Sequence, residues 1–220
     1  MSEICWGLLP VEASSIYLPP YSLLGQINSK NKTGANICPA ILKLLQNTFT
    51  INCPFDFHLR YTGSLKKPEI RPIIEGCSIL EEKLSNIISI SPRNDWLNPN
   101  YPVFQITTPY IFFSSNECEL VQRFPRLLIG KGYPFRLIEG QFPIHSWRRP
   151  LSWAIEWVDV KKDIILKRGI PWFDLSFIGN KNKKTLNLKK QKLTKSLLDE
   201  IYANKDVTKY IRGTSKLMEL

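Results

Sequence analysis

The chain has 220 residues with 43% hydrophobic content, enough to bury one sizeable core, and β sandwiches often reach this length as a single domain with an appendage. No run approaches the roughly 18 apolar residues of a membrane span, and the start MSEICWGLLP carries an acid and no basic region, so neither a membrane helix nor a secretory signal is expected. The net charge of +11 is uneven: residues 180–220 hold eleven Lys and Arg against four Asp and Glu, which makes a nearly balanced body with a basic tail.

Residues 1–35 include IYLPPYSLLGQINSKNKTG, where Pro-Pro excludes helix and the polar stretch reads as a surface loop, so this segment is expected to form an arm. A helix fits residues 36–46, with Asn36 as N-cap, Pro39 in the first turn, and Ile41, Leu44 and Leu45 on one face. In FTINCPFDFHLRY, Phe49, Ile51, Cys53, Phe55, Phe57 and Leu59 alternate with polar residues and predict one long strand whose polar face sees solvent or a groove. Pro54 within it points to an edge or a bulge. Residues 63–100 are turn-rich, and LEEKLSNIISI fits helix or strand equally.

Strand signals return in VFQITTPYIFF, ELVQRFPRLLI and YPFRLIEGQFPIHSW. The stretch from 147 to 177 holds four of the six tryptophans. Leu151, Trp153, Ile155 and Trp157 alternate there with Ser152, Ala154 and Glu156, and after a turn at Lys167, Arg168 and Gly169 a second strand points Phe173, Leu175 and Phe177 one way, with Asp174 and Ser176 the other. Residues 181–192 form a Lys/Asn-rich connector, followed by a helix striped by Leu193, Leu197 and Ile201, with a further turn near Val207 to Ile211. The expected fold is mainly β, a jelly-roll or double-stranded β-helix-like sandwich over residues 36–180, with one short N-terminal helix, an arm at 1–35 and a basic helical tail at 181–220.

Five cysteines, Cys5, Cys38, Cys53, Cys77 and Cys118, form an odd count with no zinc-knuckle spacing, and they are expected reduced and mostly buried. The residues that could carry chemistry are few. Asp56, His58 and His145 would suit a non-haem iron centre on a jelly roll, acting on a small molecule as a 2-oxoglutarate or cupin-like oxygenase. The order Asp56-Phe57-His58 is nevertheless the reverse of the His-x-Asp pattern, and with two histidines in the chain a three-histidine cupin set is excluded. No metal or other cofactor is therefore favoured, Fe(II) being the alternative. Arg148 and Arg149 are the residue type that grips a carboxylate or phosphate through two nitrogens, although an arginine stacked on Trp147 is the commoner arrangement. Lys183, Lys184, Lys189 and Lys190 could bind nucleic acid through the basic connector, but no aromatics interleave with them. The Gly-Lys-Gly at 130–132 lacks the spacing of a phosphate-binding loop and reads as a turn.

The order NICPAILKLLQNTFTINCPFDFHLRY, FQITTPYIFF, GQFPIHSWRRPLSWAIEW, LKRGIPWFDLSF resembles a family of uncharacterised proteins of tailed phages, notably those of marine cyanobacteria, with bacterial relatives. The resemblance covers residues 36–180 and implies a phage-type protein in the host cytoplasm or the virion. Its shared features are a Cys-Pro helix leading into a strand, an aromatic strand preceded by Arg-Pro and a strand opened by a Gly-x-Pro turn. These are scaffold features, so the expected function is a non-enzymatic, partner-binding or virion-associated protein that engages a protein partner or its own copies. An oxygenase and a nucleic-acid accessory protein are the alternatives.

Overall fold

The computed structural model describes residues 3–11, 14–28, 38–179, 186 and 188–205. Among these, the period-two stretches become β1 (Ile4–Leu8), β2 (Tyr21–Ser22), β3 (Thr48–Asn52), β4 (Phe57–Tyr61), β5 (Ile70–Pro72), β6 (Ile88–Ile90) and β7 (Val103–Ser114). They continue as β8 (Glu119–Arg123), β9 (Phe135–Leu137), β10 (Gly140–Pro143), β11 (Pro150–Trp157), β12 (Ile164–Leu166), β13 (Pro171–Ile178) and β14 (Leu188–Lys190). The helices are short: α1 (Leu23–Asn28), α2 (Pro39–Gln46), α3 (Glu81–Ile87) and α4 (Lys195–Lys205).

One sheet runs β14-β1-β7-β11-β9 with β6 also on β7, a second runs β10-β8-β13-β3-β2, and a third runs β12-β4-β5. The fold is thus mainly β, and its sheets share one core. Trp153 of β11 sits at the centre, 5.6 Å from the Phe57 ring of β4, 6.1 Å from Phe104 of β7 and 5.7 Å from Trp172 of β13. Its indole N–H donates to the Trp172 carbonyl at 3.0 Å, so a fully buried tryptophan leaves no polar atom unpaired. Phe112 of β7 and Phe177 of β13, 5.8 Å apart, join the two larger sheets further along.

The long alternation over residues 49–61 is two strands in different sheets. Pro54 has no N–H to offer a ladder, and the chain bends there between β3 and β4, while Cys53 bonds the Ile170 carbonyl and accepts from Gly169. Phe49, Ile51, Cys53, Phe55, Phe57 and Leu59 nevertheless all stay buried, because both strands face the same core. The polar face is not solvated throughout: Thr50, Asp174 and Ser176 are buried, with Thr50 donating to Asp174 at 2.6 Å and the Arg126 backbone N–H donating to the same carboxylate at 2.8 Å. Glu156 is likewise buried, paired with Arg136, rather than on an open polar face.

Helix α2 begins at Pro39 with Cys38 at its N-cap and buries Leu45, whereas Leu44 is exposed; Asn36 lies outside the described residues. LEEKLSNIISI divides into α3 and β6. The segment expected to be an arm supplies β1, a strand inside the largest sheet, because Ile4, Cys5 and Trp6 are apolar enough to be buried beside β7. The connector supplies β14, parallel to β1, and α4 then packs Leu197 and Ile201, with the preceding Leu193, against Leu9 and Ile111. Gly7 permits this approach, since a Cβ there would meet Leu193 at 2.7 Å and the Gln191 carbonyl oxygen at 2.8 Å. Residues 207–211 lie outside the described residues.

Candidate functional site

The described residues singled out from the sequence are engaged by partners elsewhere in the scaffold. His58 on β4 places Nε2 2.6 Å from Oδ2 of Asp163, and Arg60 donates to the same carboxylate from Nη2 at 2.7 Å and from Nε at 3.0 Å. The Arg60 hydrogen bond, followed by that from His58, holds the Asp163 carboxyl down at about 2. Asp56 faces elsewhere: it accepts from the Arg168 backbone N–H at 2.7 Å and from Lys167 Nζ at 3.2 Å, which lowers its pKa, the Arg168 bond most. His145 lies beside Cys118, its Nδ1 3.4 Å from that residue's backbone nitrogen. The iron set Asp56, His58 and His145 is therefore not brought together. Among the described residues, no group of three or more His, Cys, Asp or Glu side chains is placed to hold a metal ion.

The basic candidates are tied into the scaffold in the same way. Arg148 Nη1 donates to Glu200 at 2.7 Å and so clamps α4 to the loop before β11. Arg149 lies over the Trp147 ring, 4.8 Å from its centroid. Lys189 pairs with Glu3 at 2.9 Å and Lys190 sits 5.4 Å over Trp6, which spends both on the β14–β1 junction. Lys183 and Lys184 lie outside the described residues. Gly130 and Gly132 have φ of +81° and +68°, consistent with the turn read there. All five cysteines are free; Cys5, Cys53 and Cys118 are buried, Cys77 is partly so and Cys38 is exposed.

A site that the sequence reading passed over lies along β7. One edge of β7 is covered by β11, while the other is shared by β6, which pairs with residues 104–106, and β1, which pairs with residues 110–114. Between them, among the described residues, Thr107, Thr108 and Pro109 have no partner strand on that edge. Pro109 cannot donate to a ladder, so its place in a long central strand fits this interruption; one bond, Leu9 N–H to the Pro109 carbonyl at 2.9 Å, closes the β1 side. The one sequence signal for the gap was this proline inside VFQITTPYIFF.

The gap opens into a cleft of about 380 Å³. Thr107, Thr108 and Pro109 form part of its lining, together with Ile79, Lys83, Asn86 and Ile87 at α3, Leu9 and Val11 after β1, and Ile201 and Tyr202 of α4. Tyr17 and Phe55 line it too, and Tyr17 is fixed edge-on to Phe55 at 6.5 Å and to Tyr110 at 5.6 Å. Burial pushes the Tyr17 phenol up to about 12, so at neutral pH it keeps its proton. Tyr110 anchors the neighbouring turn by donating to the Leu18 carbonyl at 2.5 Å. Among the described residues lining the cleft there is no carboxylate, imidazole or thiol. Its surface is suited to sheltering apolar matter and lacks the commonest general bases and nucleophiles.

No protein-family model and no curated protein matches the chain.

Proposed function

We propose that this chain works by binding, without catalysis, and that the cleft at the β7 interruption holds a small apolar molecule. One observation carries the reading: a concavity of about 380 Å³ with mainly apolar walls and no carboxylate, imidazole or thiol among the described lining residues. That volume lies in the range of about 300–1,000 Å³ of small-molecule pockets, and filling it would remove apolar surface from water on both sides. Lys83, Asn86, Thr107 and the Tyr17 and Tyr202 phenols supply the few polar groups that orient a ligand, the Thr108 hydroxyl already donating to the Leu151 carbonyl. The resemblance to tailed-phage proteins supports a phage-type protein of the host cytoplasm or virion, with a protein partner or a second copy engaged elsewhere. The jelly-roll form belongs to the same proposal, supported by two larger, mainly antiparallel sheets around one core.

Titration with the neutral fluorophore N-phenyl-1-naphthylamine tests this directly. Saturable one-site binding is expected, and Ile87→Glu should weaken it at least tenfold while leaving the circular dichroism spectrum intact. Absence of saturable binding, or equal binding by the variant, overturns the proposal. Stoichiometric iron in the purified protein would favour the oxygenase alternative instead.

A further inference from the structure

A second cavity, of about 220 Å³, lies where the chain passes from β9 in one sheet to β10 in another. Phe112, Phe142 and Leu151 give it an apolar wall, and Trp147, Arg149 and Glu139 give it a polar one. Among the described residues, no carboxylate comes within ion-pair distance of Arg149; its partner is the face of Trp147, 4.8 Å away. Trp147 is only 5% exposed, and its Nε1 has no acceptor among the described residues. Buried donors of this kind are normally paired, and a guanidinium drawn from water without a counter-charge is costly, so the pair is unusual as pure scaffold. Burial lowers the Arg149 pKa below its ordinary value, in keeping with the missing counter-charge.

We propose that this cavity binds a small monocarboxylate with an apolar body, its carboxylate held by the Arg149 guanidinium. The paired N–H donors of the guanidinium match the two acceptor oxygens of a carboxylate, and it is the side chain best shaped for that geometry. The size is that of about seven waters at ~30 Å³ each, room for an acid such as phenylacetate. Glu139 limits how much negative charge the site takes, since its carboxylate repels a dianion more than a monoanion. Its carboxylate, which accepts from the Phe124 backbone N–H at 3.2 Å, lines the same cavity and would repel a dianion such as phosphate. This site shares no lining residue with the β7 cleft except Pro150, so the two proposals stand or fall separately.

The test is titration of the full chain with phenylacetate and, in parallel, inorganic phosphate, followed by calorimetry and tryptophan fluorescence. Phenylacetate should saturate, with phosphate at least tenfold weaker. Arg149→Gln should weaken phenylacetate tenfold or more, and Arg149→Lys, which keeps the charge but loses the fork, should fall between. N-Phenyl-1-naphthylamine binding in the β7 cleft should be unchanged in both variants. No saturation up to tens of millimolar, equal affinity in Arg149→Gln, or phosphate binding as tightly as phenylacetate would overturn the assignment. If Arg149→Gln does not fold, unchanged affinity in Arg149→Lys overturns it in its place.

Discussion

The corner formed by His58, Arg60 and Asp163 and the cleft beside Pro109 are built on the same core and have opposite characters. At the corner each charge meets a partner: Asp163 takes hydrogen bonds from His58 and Arg60, and nearby Asp56 takes them from Arg168 and Lys167. At the cleft, Ile87, Leu9, Ile201 and Phe55 border open space. A saturated polar network has little to gain from a ligand, whereas an open apolar concavity gains whenever something dry fills it. The more conspicuous residues are thus paired within the fold, and the quieter ones border the cleft proposed to bind.

The largest effect should come from the hydrophobic core on which both regions are built. Trp153→Ala removes the ring that meets Phe57, Phe104 and Trp172, and by the usual cost of such a deletion should lose about 3–5 kcal/mol in chemical denaturation. A stable Trp153→Ala protein that loses only ligand binding would make this face a pocket wall and erase the distinction between the regions. Next comes Ile201→Ala on α4, where a fully buried side chain both docks the helix and lines the cleft. Stability should fall by about 2 kcal/mol and fluorophore affinity should fall with it; movement of one without the other would separate docking from binding.

Asp163→Asn probes the corner alone. The Asp163 carboxyl is held at about 2 in the fold, below its unfolded value. A depressed carboxylate stabilises the fold in full well above ~3.9, the unfolded value, and loses that stabilisation as pH falls through about 2. The variant should therefore lose ~1–2 kcal/mol at neutral pH, allowing for partial solvent screening. Its stability should also decline less between about pH 5 and pH 2 than that of the unmodified chain. Fluorophore binding should not change, and a variant with weakened binding would join the corner to the site. The smallest stability effect belongs to Val11→Glu at the exposed rim of the cleft, within ~0.5 kcal/mol, together with a several-fold loss of fluorophore affinity.

Alternation by itself determined which side chains go inside. The odd-numbered residues from Phe49 to Leu59, the row Leu151, Trp153, Ile155 and Trp157, and the helix stripe Leu193 to Ile201 follow from periods of two and four that a chain carries locally. Tertiary structure alone decided which strand lies beside which. It divided residues 48–61 between two sheets at Pro54, drew the N-terminal segment between β14 and β7, and buried Thr50, Asp174 and Glu156 on faces whose pattern reads as solvated. The same holds for both cavities. One exists because β6 and β1 leave residues 107–109 of β7 uncovered, the other because β9 and β10 part into different sheets. Such gaps are relations between strands distant in sequence, set by loop closure and long-range packing, and no local period records them.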